Sequence, residues 1–461
     1  MATLSNFAAR DVETLLHPAT NLATHRTTGP LLFERAEGIH IYDSTGKEYI
    51  EGLAGLWCTA LGYGNNELVE AAAEQMRKLS FTHLFGGRSH EPAIQLAEKI
   101  KEISPVPTSK VFFTSSGSEA NDSQIKLQWY YNNAIGKPNK KKIISRFHAY
   151  HGVTIAAGSL TGIPIFHSDF DLPIARILHT EKPHFYRYGK EGESEEEFAS
   201  RLAGKLEALI EREGPETIAA FIAEPVMGAG GVIVPPKTYF EKVQAILRHY
   251  DIAFIADEVI CGFGRTGSMF GTQTFNMQPD TISMAKAITS AYMPLGAITV
   301  PEHVYEAMID ESKKLGVFAH GFTYSGHPVA SAVAVKTLEI YERIDIVGHV
   351  RKVAPTFMKR LKALDSHPLV GETRGVGLIG GVELVKDKRT KASFDPRQGV
   401  GAKVNTFAQE EGLISRSIAG DTLALCPPLV ITAEQINAMF DRMERALDRG
   451  LDWARKEGMV G

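Results

Sequence analysis

Between about residue 65 and residue 330 the chain alternates helical stretches with short, unbroken apolar runs, and few folds accept that pattern. Helical spacing covers 67–79, 119–131 and 239–250, and strand-like runs lie at 110–113, 143–146, 218–223, 253–256 and 281–284. Strands apolar on both sides need helices over both faces of their sheet, and helical crossovers between them make that sheet mostly parallel. The two ends read differently. Residues 30–55 look like β-hairpin material, with apolar runs at 31–33, 39–42 and 49–50 and a turn at Ser44, Thr45 and Gly46; residues 345–461 mix helices with strands such as 377–384. The expected class is therefore α/β. A large domain, 61–330, carries the mostly parallel, helix-covered sheet, and a smaller α+β domain is assembled from both termini, 1–60 and 331–461.

The 461 residues allow two large lobes or three smaller ones and ample core. A net charge of −4 gives no electrostatic case for nucleic acid or an anionic membrane. The three cysteines, Cys58, Cys261 and Cys426, are too scattered for a disulfide framework or a zinc spacing, so a reducing, cytoplasmic setting and no metal are expected. No apolar run has the length of a membrane span, and Asp11 and Glu13 come early with no apolar signal segment. The acidic run 191–197 is expected to open a solvated helix, because Phe198, Leu202, Leu206 and Leu209 follow at helical spacing. The basic residues Lys137, Lys140, Lys141 and Lys142 read as an exposed loop ahead of a strand.

Four features fall at the ends of the expected strands, where open α/β sheets bind ligands. Residues 114–121 (TSSGSEAN) run from a strand through small residues into a helix, which suits either an anion or a plain N-cap at Ser118. Residues 147–152 (FHAYHG) put an aromatic at a strand end, where it either stacks on a flat ring or packs the loop. Asp257 ends the run FIAD, where a carboxylate is costly unless it meets a cation or donors. Lys286 directly follows the run ISMA; buried there, it would lose its charge and become nucleophilic toward carbonyls.

A phosphate cradle, a ring stacker, a carboxylate for a ring nitrogen and a Schiff-base lysine are together what pyridoxal 5'-phosphate requires. In order and spacing the chain resembles the fold-type I enzymes that use this cofactor, and in particular the class III aminotransferases, over nearly its whole length. The resemblance implies that Ser116, Gly117 and Ser118 hold the phosphate and that Tyr150, followed by His151 and Gly152, stacks on the ring. It implies that Asp257 pairs with the ring nitrogen, Val259 packs the other ring face, Glu224 is the acid near the cofactor and Lys286 carries the cofactor. Phe322 and Thr323, in GFTYSGHP, resemble the segment by which a neighbouring subunit reaches the phosphate, so the family's site is shared across a homodimer, with a tetramer possible. Lys286 and Asp257 are then the catalytic pair.

Ornithine- and GABA-type branches pair a second glutamate with an arginine; the corresponding positions here are Ala229 and Ala424. Arg416 resembles instead the mobile arginine of the ω-amine:pyruvate branch, and its planar fork suits a carboxylate. Trp57, Phe85 and Tyr150 are the candidates for an apolar pocket left when Arg416 swings away. The expected reaction is a ping-pong transfer from an apolar primary amine or ω-amino acid to pyruvate or a similar small keto acid, with (S) selectivity implied by the branch. A mutase, racemase or decarboxylase on the same scaffold stays open. A nucleotide-dependent oxidoreductase is the other alternative: residues 375–380 match G-x-G-x-x-G, but a strand-like pattern follows where that fingerprint needs a helix.

Overall fold

The computed structural model describes residues 5–460. Its centre is a seven-stranded sheet of β4 (Lys110–Thr114), β5 (Lys142–Arg146), β6 (Ile177–Thr180), β7 (Ile218–Ala223), β8 (Ala253–Asp257), β9 (Thr281–Met284) and β10 (Gly296–Val300), in the spatial order β4-β10-β9-β8-β7-β5-β6. Only β10 runs against its neighbours; β6, β5, β7, β8 and β9 are parallel. Every residue of β7, β9 and β10 is buried, as a sheet covered on both faces requires. The helix Tyr239–His249 buries Tyr239, Phe240, Val243 and Leu247, one stripe of its surface, against that sheet. The helix Glu195–Glu213 opens with a capping box between Ser194 and Glu197, so the acidic run does begin a helix.

The N-terminal part supplies β1 (Phe33–Glu37), β2 (His40–Asp43) and β3 (Glu48–Glu51) as an antiparallel meander, and β13 (Leu413–Ile414) adds to β3 in parallel. This pairing ties residues near 50 to residues near 413. A third sheet joins β11 (Val370–Val376), β12 (Ile379–Leu384), β15 (Thr422–Leu425) and β14 (Arg416–Ile418), in that order. Ahead of β1 lie two short helices, α1 (Asn6–Thr14) and α2 (Leu22–Thr28); α1 buries only Ala8, and α2 buries nothing. None of the described helices is long and apolar enough to cross a membrane.

Four expectations are corrected. The strands β6 and β10 complete the sheet although the apolar pattern had not singled them out. Ser116, not Ser118, caps the helix that begins at Gly117, its side chain accepting from the Glu119 N–H at 3.2 Å. The basic loop is not wholly exposed: Lys140 is buried because its ammonium is taken up by Asp251, by the carbonyl and by the carboxylate at 3.0 Å. Leu31 and Leu32 lie outside β1, which starts at Phe33. The glycine-rich run 375–380 is the hairpin joining β11 to β12, with Gly377 at φ +58° in its turn, and a strand follows it. A dinucleotide fingerprint needs a helix there.

Candidate active site

The loops that leave β4, β5, β7, β8 and β9 converge, and Asp257 is their meeting point. Its side chain is 4% exposed. Oδ2 accepts from His151 Nδ1 at 2.7 Å and from Asn121 Nδ2 at 2.8 Å, while Oδ1 accepts from the Val259 N–H at 3.1 Å. Asn121 Nδ2 also donates to the His151 carbonyl at 2.8 Å, so the helix Gly117–Ala134 and the loop after β5 are locked to one carboxylate. A buried carboxylate left alone would cost several kcal/mol, and three donors offset that cost.

The loop after β4 approaches this centre by its backbone. Gly117 and Ser118 are the first residues of an 18-residue helix, and their N–H groups find no acceptor among the described residues. Two free N–H groups at the positive end of a long helix suit an anion. Ser118 Oγ accepts from the Val153 N–H at 3.2 Å. Gly152, at φ +135°, comes so close that a Cβ there would meet Ser118 Oγ at 2.5 Å. A Cβ on Gly117 would stand 3.1 Å from both methyl groups of Val259.

Lys286 leaves β9 in the left-handed region, at φ +51°, a strained conformation for a residue with a Cβ. Burial pushes its ammonium below the ordinary lysine range; Asp257, Cys58, Glu224 and Cys426 stand near enough to pull it partly back. No hydrogen bond or ion pair holds Nζ among the described residues. An uncommitted amine whose free-base form burial favours is suited to act as a nucleophile.

Glu224, directly after β7, is also buried, and burial raises it above the usual carboxylate range. Its oxygens accept from the Tyr150 and Gly228 N–H groups, each at 3.0 Å. Burial raises the Tyr150 phenol as well, and the nearby Arg416 guanidinium opposes that rise. Arg416 opens β14 and is the direct cross-strand partner of Ala424 in β15. Trp57 and Phe85 differ. Trp57 is 3% exposed in an apolar cluster with Ile260, Ala424 and Cys426, whereas Phe85 is 48% exposed. Phe85 packs on Gly321, where a Cβ would lie 3.1 Å from its ring, and so sits beside Phe322 and Thr323.

Sequence reasoning gave no role to Asn121, although it lies one turn into the helix that Ser116 caps. It also passed over Glu51. This carboxyl is buried at the end of β3 and accepts from the Leu53 N–H at 2.9 Å; desolvation raises it to about 7.

The arrangement suits pyridoxal phosphate on four counts. Buried His151 Nε2 and Asn121 Oδ1 lack partners, Asp257 keeps acceptor capacity, Nζ of Lys286 is free, and the Gly117–Ser118 backbone offers two donors. Lys286 would carry the cofactor, Asp257 would meet its ring nitrogen, and Ser116, Gly117 and Ser118 would take its phosphate.

Comparison with known proteins agrees with this geometry. A family model described as class-III aminotransferase matches residues 22–447. A mitochondrial γ-aminobutyrate transaminase 1 of Oryza sativa subsp. japonica is 54% identical over 411 residues, 89% of this chain and 80% of its own length. The solved ω-transaminase of Pseudomonas jessenii in complex with PMP is 52% identical, covers 97% of this chain and 99% of its own, and superposes with a TM-score of 0.96. A thermostable ω-transaminase variant with a tryptophan, a phenylalanine and an arginine replaced, engineered for asymmetric synthesis of enantiopure bulky amines, is also 52% identical, over 97% of this chain and 100% of its own, with a TM-score of 0.95.

Proposed function

The chain belongs to the class III aminotransferases, which are pyridoxal-phosphate-dependent transaminases acting on small amines and keto acids, and from that premise we propose that it takes its amino group from an apolar primary amine or an ω-amino acid and gives it to pyruvate or a similar small keto acid. The single observation that carries this reading is Arg416, a guanidinium at the start of β14 that has no carboxylate partner among the described residues and lies near Tyr150. The replaced tryptophan, phenylalanine and arginine of the bulky-amine variant have the same spacing along their chain as Trp57, Phe85 and Arg416. That match supports giving these three residues the substrate-facing roles. The name of the Oryza relatives adds a constraint. γ-Aminobutyrate is an ω-amino acid, so the missing pair at Ala229 and Ala424 does not set this chain apart from every protein called a GABA transaminase.

When bound, pyridoxal phosphate supplies an electron sink that stabilises negative charge at the amine carbon. Asp257, held by His151 and Asn121, would meet the ring nitrogen and favour its protonated form, which that sink requires. Nζ of Lys286 would hold the cofactor and, once free, would take and return the proton at the amine carbon; its depressed basicity suits both duties. Arg416 receives the keto acid carboxylate through two parallel N–H donors and turns aside for an amine without one. Tyr150 and Trp57 wall the apolar side. Phe85 travels with Phe322 and Thr323, so if that segment serves a neighbouring subunit's phosphate, Phe85 faces the same neighbour's pocket. On that reading the site would be completed in a homodimer.

The experiment is a donor screen with pyruvate as acceptor, following cofactor absorbance. Conversion of 1-phenylethylamine and of γ-aminobutyrate with stoichiometric alanine is expected, (S) before (R), and none of it in Lys286→Ala. Carbon dioxide release or racemisation without alanine would instead favour a decarboxylase or racemase.

A further inference from the structure

The N-terminal arm holds a second cluster of chemistry-bearing side chains, unconnected with Lys286. Asp11 of α1, His17 of the following loop and His25 of α2 converge. Nε2 of His17 lies 2.9 Å from Asp11 Oδ1 and 3.0 Å from Oδ2, and Nε2 of His25 lies 3.1 Å from the same Oδ1. All three ligand atoms fall within 4.8 Å of one another, and the two imidazole centroids are 4.2 Å apart. Nitrogen and oxygen ligands bind Zn2+ at about 2.0–2.2 Å, so neighbouring ligands on one ion stand about 2.9–3.4 Å apart. The spacings around Asp11 already have that value.

Three further observations point to an ion. The cluster opens onto a cleft of about 400 Å³ lined by His17, His25, Asn21, Thr24 and Leu31, which leaves room for water on the remaining positions. None of Asp257, His151, Glu224 or Lys286 lines that cleft. Among the described residues no lysine or arginine pairs with Asp11. The contrast is His184, Glu372 and Glu383, which meet the same distance criterion. There Arg374 binds both carboxylates and Arg187 binds Glu383, so guanidinium groups already stand where a cation would sit. Finally, the arm has little else to order it. Helices of 9 and 7 residues are too short to persist alone, and between them they bury one side chain. A crosslink through a metal is how chain segments without a core are commonly held.

We propose that Asp11, His17 and His25 form a site for a borderline divalent transition metal such as Zn2+, Co2+ or Ni2+, which pins α1 to α2. Two imidazoles and one carboxylate select this class over Mg2+ and Ca2+, which prefer all-oxygen sites. Each histidine binds through Nε2 as the neutral ring with its proton on Nδ1, and water completes the coordination. The expectation that the chain has no metal came from its cysteines; the spacing D-x5-H-x7-H resembles no common zinc pattern.

The test uses tag-free holoenzyme, dialysed against chelator and then titrated with Zn2+ or Co2+, with metal per chain read by elemental analysis. About one ion per chain is expected. His17→Gln and His25→Gln should each weaken binding by more than the roughly 10–100-fold that changes outside the ligand sphere cost. Circular dichroism checks that these variants fold, and the visible spectrum of the Co2+ wild type reads the ligands without any variant. No binding to wild type with metal in excess overturns the proposal. So does a His17→Gln/His25→Gln double variant that keeps the wild-type ion, or a Co2+ spectrum with thiolate charge-transfer bands, which would put the ion on a cysteine.

Discussion

At the scale of single residues, burial and pairing decide chemical character. Lys286 and Asp257 are both buried, yet only Asp257 is met by donors, while burial of Lys286 favours its free amine. Among the described residues Arg416 makes no ion pair, which suits the proposed binding of a substrate carboxylate. In Arg416→Ala the pyruvate half-reaction should therefore slow by about 10–100-fold, the value of a charge-assisted hydrogen bond, while the 1-phenylethylamine half-reaction changes little. Single half-reactions followed by cofactor absorbance check this, and equal losses would remove Arg416 from the acceptor role. Glu51 gives a pH signature. Its carboxyl is raised from the usual 4.5 to about 7 in the fold. The neutral form is favoured there, so its contribution is intact at low pH and lost as pH rises through about 7. Relative to Glu51→Gln, the wild type should lose up to about 3 kcal/mol between about pH 4 and pH 8, read by denaturant unfolding of the holoenzyme. The placement of Lys286, Asp257 and the small residues at 116–118 was legible because chemistry demands those residue types at strand ends. That of Asn121 and Glu51 was not, because an amide or a carboxyl looks solvated until its neighbours are known.

At the scale of elements, unbroken apolar runs marked five strands of the central sheet, since strands covered on both faces can hardly be written otherwise. The missed pair have different reasons. β6 reads ILHT, half polar and only half-buried, so no unbroken apolar run marks it, whereas β10 follows β9 with no crossover helix, only the single turn Lys286–Thr289. An antiparallel neighbour needs no crossover, so the helix–strand rhythm carries no trace of it. The helix start shifted from Ser118 to Ser116 because either serine can cap; what decides is that Ser118 Oγ is engaged by Val153. That close approach yields a prediction. In Gly152→Ala the new methyl would meet Ser118 Oγ at 2.5 Å and Ala157 Cβ at 2.9 Å, on a backbone at φ +135°. A loss of about 3 kcal/mol in stability is expected, with faster cofactor dissociation. Gly136→Ala, at φ +75° with nothing within 4 Å, should cost only about 1 kcal/mol.

At the scale of the whole molecule, three sheets divide the work. The central one places Asp257 at the end of β8 and Lys286 just after β9, and the C-terminal one carries Arg416. A homodimer with shared sites predicts a complementation that separate sites forbid. Mixed dimers of Lys286→Ala with Thr323→Ala would contain one site with both residues intact if Thr323 serves the partner, and none if it serves its own chain. Refolded mixtures should thus regain activity that neither parent has, measured as alanine formation from pyruvate. If Arg416 anchors the substrate as proposed, its pairing with Ala424 fixes where the anionic group rests. Adjacent strands lie about 4.8 Å apart, close to the span of a few methylenes. Relocating the guanidinium from one position to the other, with no change to the reacting centre, would act as a gauge that resets how long a molecule fits between anchor and amine.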